Sequence, residues 1–210
     1  MKLIVLASPK KNPSEPKIVT QLFKNGLEIF HLRKPGFSQK ELEGYLNLIP
    51  GEFFNRIVIH SYHKLAVKYN LRGIHLTGRH RRQKFKTWIK IKYVKSKNPD
   101  ITITASFHSL ESLFEDQSNY DYVFLSPVFD SISKGNYQAK FSGHNLEDML
   151  SKTQQKVIAL GGVDIDKIDK IKEMNFAGMA LHGVIWESKD PVETFQYIKE
   201  ACLQETMSLA

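Results

Sequence analysis

Short runs rich in β-branched and aromatic residues alternate with amphipathic segments along this whole chain, and that alternation limits the folds open to it. The strand-like runs are Lys2–Ala7, Glu28–Arg33, Arg56–His60, Gly73–Leu76, Ile101–Ala105, Asp121–Leu125, Lys156–Leu160 and Ala177–His182. Helical periodicity marks Lys17–Asn25, Gln39–Leu48, Tyr62–Tyr69, Arg81–Tyr93, Leu110–Gln117, Leu146–Lys152, Asp166–Met174 and Val192–Cys202. Ser38, with Glu41 three residues on, predicts a capped helix start, and Ser109 and Asp164 predict two more. Eight strand–helix units in a row make parallel strands, and eight such units close a barrel. The expected class is therefore α/β, a single (β/α)₈ or TIM barrel. An open doubly wound sheet is the alternative, but no Gly-x-Gly-x-x-Gly turn follows the first strand to support a dinucleotide-binding version of it.

The chain has 210 residues, enough for one barrel and short for two well-formed domains. No linker or low-complexity stretch divides it, so residues 1–210 are expected to form one domain. One connection is long, Ser126 to Asn145, the length at which loops in compact domains tend to carry function. No stretch approaches the roughly 20 apolar residues needed to span a bilayer. The N-terminal apolar run is too short for a signal peptide and reads as a buried strand. The lone cysteine, Cys202, has no partner for an intramolecular disulfide. A cytoplasmic protein that does not engage membranes is the expectation; oligomeric state is not legible.

Charge is unevenly spread. The formal net charge is +8, yet between Phe53 and Pro99 there are thirteen Lys and Arg and no acid, leaving the rest of the chain at −5. Phe85, Trp88 and Tyr93 interleave the densest part, as they would on a nucleic-acid surface. No nucleic-acid motif accompanies them, so the favoured reading is a basic helix face near a site that attracts anionic substrates. Nucleic acid is not the expected partner.

In a (β/α)₈ barrel the active site lies at the C-terminal ends of the strands. Those ends supply His31 and Arg33, which the period of two puts on one side, then His60-Ser61, His75, Thr77 to His80, Ser106 to His108, Ser126-Pro127, Gly161-Gly162 and His182-Gly183. Glycines after strands seven and eight let backbone N–H groups approach a phosphate, at the recurrent phosphate site of this architecture; plain turn glycines are the alternative. Six of the eight histidines fall near this rim. They are candidates for a softer metal such as zinc, for acid–base work, or for neutral hydrogen bonding. His75 is read as structural, and no His-x-His or His-x₃₋₄-His pattern joins the other five, so no metal ligands are assigned.

The succession His31-Leu32-Arg33-Lys34, Gly73-Ile74-His75-Leu76, Ser106-Phe107-His108, Asp121 to Phe129, Ser133-Lys134, Ala159-Leu160-Gly161-Gly162-Val163 and Ala177 to Ile185 resembles the thiamine phosphate synthase and TenI family. The resemblance runs from the first strand to the last helix. It implies a transferase that joins a pyrimidine-methyl pyrophosphate to a thiazole phosphate and releases pyrophosphate. By position it implies that Arg33, Ser106 and Lys134 clamp the pyrophosphate, and that His31 stands where the family has a glutamine facing the pyrimidine. Ser131 and Ser133 would lie beside the thiazole phosphate or the clamp, with Gly161, Gly162 and Gly183 giving backbone donors and His60 and His182 flanking the substrates.

Mg²⁺ is the cofactor the resemblance implies, held by two aspartates. Here Ser61 and His80 occupy those positions, and magnesium prefers oxygen ligands that include carboxylates. The TenI-type tautomerases use a histidine where this chain has Pro127, and the Ser126-Pro127-Val128-Phe129 spelling favours the synthase branch. Two other readings stay open: a tautomerase or isomerase using a rim histidine, and a non-catalytic binder of phosphate ligands or nucleic acid.

Overall fold

The computed structural model describes residues 1–130 and 143–207. Its eight strands are β1 (Lys2–Leu6), β2 (Ile29–Leu32), β3 (Ile57–Ile59), β4 (Gly73–Leu76), β5 (Thr102–Phe107), β6 (Tyr122–Leu125), β7 (Val157–Leu160) and β8 (Gly178–Leu181). All neighbours pair in parallel and in sequence order, and β8 returns to β1 to close the barrel. Each strand is buried on two faces, which is why each reads as a short apolar run.

The helices form the outer layer: α1 (Glu15–Lys24), α2 (Gln39–Asn47), α3 (Lys64–Lys68), α4 (Gly78–Arg82), α5 (Lys84–Lys97), α6 (Leu110–Glu115), α7 (Gly143–Lys152), α8 (Ile168–Glu173), α9 (Gly183–Trp186) and α10 (Pro191–Met207). The Ser38–Glu41 capping box forms, and Ser109 accepts the Ser112 amide. One expected helix, 81–93, is two: the backbone leaves helical geometry at Gln83 (φ −93°, ψ 59°), and Thr87 donates its hydroxyl back to the His80 carbonyl at 2.6 Å. The short α9 follows β8 directly and has no counterpart in the sequence reading. No helix among the described residues is long and apolar enough to cross a membrane.

Two apolar regions result. A large one, including Leu22, Phe30, Leu42, Ile59, Ile74, Ala105, Val123 and Leu181, fills the space between barrel and helices. A smaller one fills the lower barrel interior with Ile4, Leu6, Ile29, Val58, Tyr122, Phe124, Ile158 and Ala180. Above it the inward positions turn polar: His31 on β2, His60 after β3, His75 on β4 and Thr104 on β5 are all buried. The seam between β1 and β8 registers Lys2 on Gly178 and Val5 on Leu181. Gly178 is needed there, since a Cβ would stand 2.3 Å from the Lys2 carbonyl oxygen. Trp186 of α9 fastens the same seam, donating its indole N–H to the Leu6 carbonyl at 2.6 Å.

The basic segment lies mostly away from the mouth. On α5, Thr87 and Val94 face inward and Phe85, Trp88, Ile89 and Tyr93 are exposed among the lysines. Of residues 77–97, only Thr77 and Gly78 line the cavity described next, so α5 does not line it.

Candidate active site at the barrel mouth

A cavity of about 640 Å³ opens at the C-terminal ends of the strands, lined by side chains and backbone from most of the barrel. Arg33, His60, Ser106, Gly161, Gly162, His182 and Gly183 all line it. The connections after β2 to β8 thus converge on one space, as the architecture dictates. Thr77, His108, Ser126, Asp164 and Glu187 also contribute. Ser131, Ser133 and Lys134 lie outside the described residues.

Arg33 is exposed, free to swing its guanidinium over an anion, whereas its neighbour Lys34 is committed elsewhere. Lys34 is 4% exposed and pairs with the fully buried carboxylate of Glu15. Its ammonium also donates to the Ser8 carbonyl at 2.7 Å. Glu15 further accepts from the Ser8 amide and the Tyr45 hydroxyl, each at 3.1 Å. Burial pushes its carboxyl up, against the pull of Lys34. Lys34 therefore ties the loops after β1 and β2 together beneath Arg33. No local pattern in the sequence marks this pair.

Ser106 is held from two sides. His75 Nε2 lies 2.6 Å from its Oγ, and His75 Nδ1 lies 2.8 Å from the Thr104 hydroxyl. Arg81 donates to the Ser106 carbonyl at 2.9 Å, pairs with Asp116 at 3.2 Å and stacks its guanidinium 3.9 Å over the Phe107 ring. Arg81 was legible only as one more charge in the basic run.

His31 sits deeper than its place in the sequence suggests. It is fully buried and absent from the cavity lining, with Nδ1 2.9 Å from His60 Nε2 and Nε2 2.6 Å from the Tyr122 hydroxyl. His60 stacks on His75 with ring centroids 4.0 Å apart. Burial pulls His31 down to about 3 and holds His60 and His75 well below the ordinary imidazole range. These three are neutral at physiological pH and are weak bases, which does not suit acid–base work near neutrality.

The glycines after β7 have a steric reason to be there. Gly161 and Gly162 have φ of 92° and 65°, and a Cβ on Gly162 would lie 2.4 Å from the Asp130 carbonyl oxygen. The loop after β6 is thereby pressed against the turn after β7. The same turn lines the cavity.

The positions where Mg²⁺ would be held do not fit it. Ser61 does not line the cavity. His80 spends its Nδ1 on the cap of α4, 3.2 Å from the Thr77 amide. The carboxylates that do line the mouth are Asp164 and Glu187, on the β7 and β8 loops, and Asp164 already accepts the Ile165 amide at 2.6 Å. Glu187 follows the short α9, which is why it was not anticipated.

The family model described as thiamine monophosphate synthase matches residues 3–185. This chain belongs to the thiamine monophosphate synthase family. A solved thiamine phosphate pyrophosphorylase from Bacteroides thetaiotaomicron is 30% identical, with a TM-score of 0.77 over 98% of this chain and 99% of that one. The thiamine-phosphate synthase of Lactococcus lactis subsp. cremoris is 20% identical over 190 residues, 87% of this chain and 84% of the relative. That of Limosilactobacillus reuteri is 29% identical, but over only 38% of this chain and 37% of the relative. The barrel is therefore the family's barrel, and its mouth is the place to look for the family's chemistry.

Proposed function

We propose that this chain is a thiamine phosphate synthase, joining a pyrimidine-methyl pyrophosphate to a thiazole phosphate with release of pyrophosphate. On this reading residues 1–210 work as a single barrel domain. The observation that carries the proposal is that Arg33 and Ser106 line the same cavity as Gly162 and Gly183, in a chain of this family. The methylene–oxygen bond of the pyrimidine substrate breaks, its electron pair leaving with pyrophosphate. The thiazole nitrogen then donates its lone pair to the methylene carbon.

Neither step requires a strong base. What it needs is stabilisation of charge developing on the leaving oxygens. Arg33 suits that task with a planar fork of donors, and Ser106 adds a hydroxyl whose direction is set by His75. Lys134 would complete the clamp, with Ser131 and Ser133 beside it. The backbone of Gly161, Gly162 and Gly183 would receive the thiazole phosphate, flanked by His60 and His182. Ser61 and His80 offer Mg²⁺ no carboxylate, so this clamp is built of the chain's own cationic and hydroxyl donors.

The test is product formation from the two substrates, with Mg²⁺ and with chelator, for wild type, Arg33→Ala and Lys134→Ala. Thiamine phosphate made by wild type and largely lost in both variants is the expected result. Folded wild type that makes none under either condition overturns the proposal.

A further inference from the structure

We propose that His31, His60 and His75 form a binding site for one divalent cation of the zinc class, seated under the floor of the mouth. Each residue offers one ring nitrogen, and these nitrogens lie within 4.8 Å of one another. The barrel register brings them together. His31 pairs with Val58, whose inward neighbour two residues on is His60, and Ile59 pairs with Ile74, next to His75. His60 and His75 line the cavity, so the ion would have an entry path and an open position on the substrate side. Three imidazoles with one open position is the arrangement of reactive rather than purely structural zinc sites.

The donor set selects the ion. It is all nitrogen, with no carboxylate in the cluster, which favours Zn²⁺, Co²⁺, Ni²⁺ or Cu²⁺ over Mg²⁺ or Ca²⁺. Burial keeps the rings in the neutral form that binds metal. His31 Nδ1 and His60 Nε2 are 2.9 Å apart. Two nitrogens sharing a tetrahedral ion stand about 3.3 Å apart, so this pair opens by a few tenths of an ångström while the more distant nitrogens, within 4.8 Å, draw in by up to about 1.5 Å.

Hydroxyls already sit where an outer shell would be. Tyr122 holds the far nitrogen of His31 at 2.6 Å, and Thr104 holds Nδ1 of His75 at 2.8 Å. Such partners fix ring orientation around metals. The remaining His60 nitrogen, Nδ1, is buried and has no hydrogen-bond partner among the described residues. His75 has no spare nitrogen, and ligation through Nε2 replaces its bond to Ser106. Occupancy of the ion and the setting of the Ser106 hydroxyl are then coupled.

The proposal does not depend on the transferase reading, because its test reads binding and not turnover. Co²⁺ is titrated into chelator-stripped full-length protein and followed by visible absorption, then displaced with Zn²⁺. One equivalent with the intense bands of a tetrahedral nitrogen site is expected, together with a raised Tm. Tyr122→Phe should weaken binding about tenfold, and His60→Gln should abolish the tetrahedral bands. A spectrum of hydrated Co²⁺ with no thermal shift overturns the site, as does undiminished binding by folded His60→Gln. If that variant does not fold, histidine NMR of the wild type decides. Zn²⁺-induced shifts on His31, His60 and His75 support the site; shifts on the other histidines alone, or none, overturn it.

Discussion

The Nε2 of His75 and the Oγ of Ser106 lie 2.6 Å apart, so a buried side chain at the cavity floor sets the direction of a hydroxyl at its mouth. Ser106→Ala should cut kcat about 100-fold, as loss of one well-placed donor to developing negative charge does, with little change in KM. His75→Gln keeps the hydroxyl but frees it to rotate, and a smaller fall, about tenfold, is expected. Steady-state kinetics on both variants, with circular dichroism to verify folding, separates positioning from direct contact.

The ion pair of Lys34 with Glu15 should be structural, not catalytic. Lys34→Met leaves a buried carboxylate without its counter-charge, and a loss of about 3–5 kcal/mol is expected. The double variant Lys34→Met, Glu15→Gln should recover much of that loss, because neither member is then left charged and alone. Urea denaturation of the three proteins measures both effects.

Gly162→Ala should lower stability by about 1–3 kcal/mol through left-handed backbone strain and the clash with the Asp130 carbonyl. For a chain this long that corresponds to a fall in Tm of about 2–4 °C per kcal/mol. Differential scanning calorimetry reads it directly.

Acid should weaken the fold early. His31 and His63 are held near 3 by burial, and His60 and His75 are pushed down in the same direction, below the ordinary value of 6.5 that applies once unfolded. Well above pH 6.5 neither state takes up these protons and there is no penalty. As the pH falls from 6.5 toward 3 the unfolded chain binds protons that the folded one refuses, so stability drops. Each such histidine contributes a slope of at most about 1.4 kcal/mol per pH unit. Denaturation midpoints at pH 8.5, 7.5, 6.5 and 5.5 should show a plateau between the first two followed by a steepening decline.

The strands were legible because doubly buried parallel strands read as short, mostly apolar runs: β4 matches its expected limits, and β1, β6 and β7 differ by one residue at one end. The break at Gln83 was not, because its cause is a hydroxyl of Thr87 reaching back to His80, a contact that periodicity does not encode. Arg33, Ser106 and the glycines of the mouth were found because strand ends are fixed points of this architecture. The depth of His31 was not, since the inward side of a strand includes both floor and lining, and only the diameter of the closed barrel separates them. The Glu15–Lys34 pair joins the start of α1 to the loop after β2, nineteen residues on, and leaves no trace in either one.

The register of Lys2 on Gly178 has a consequence for synthesis. The first strand to be made cannot find one of its two neighbours until nearly the last strand is complete. Until then β1 presents a row of unpaired amides and carbonyls, an edge prone to pairing with other chains. The slow, entropically costly event in folding should thus be this one long-range closure. A chain stopped short of Gly178 would be an open, association-prone sheet, not a smaller version of the same protein.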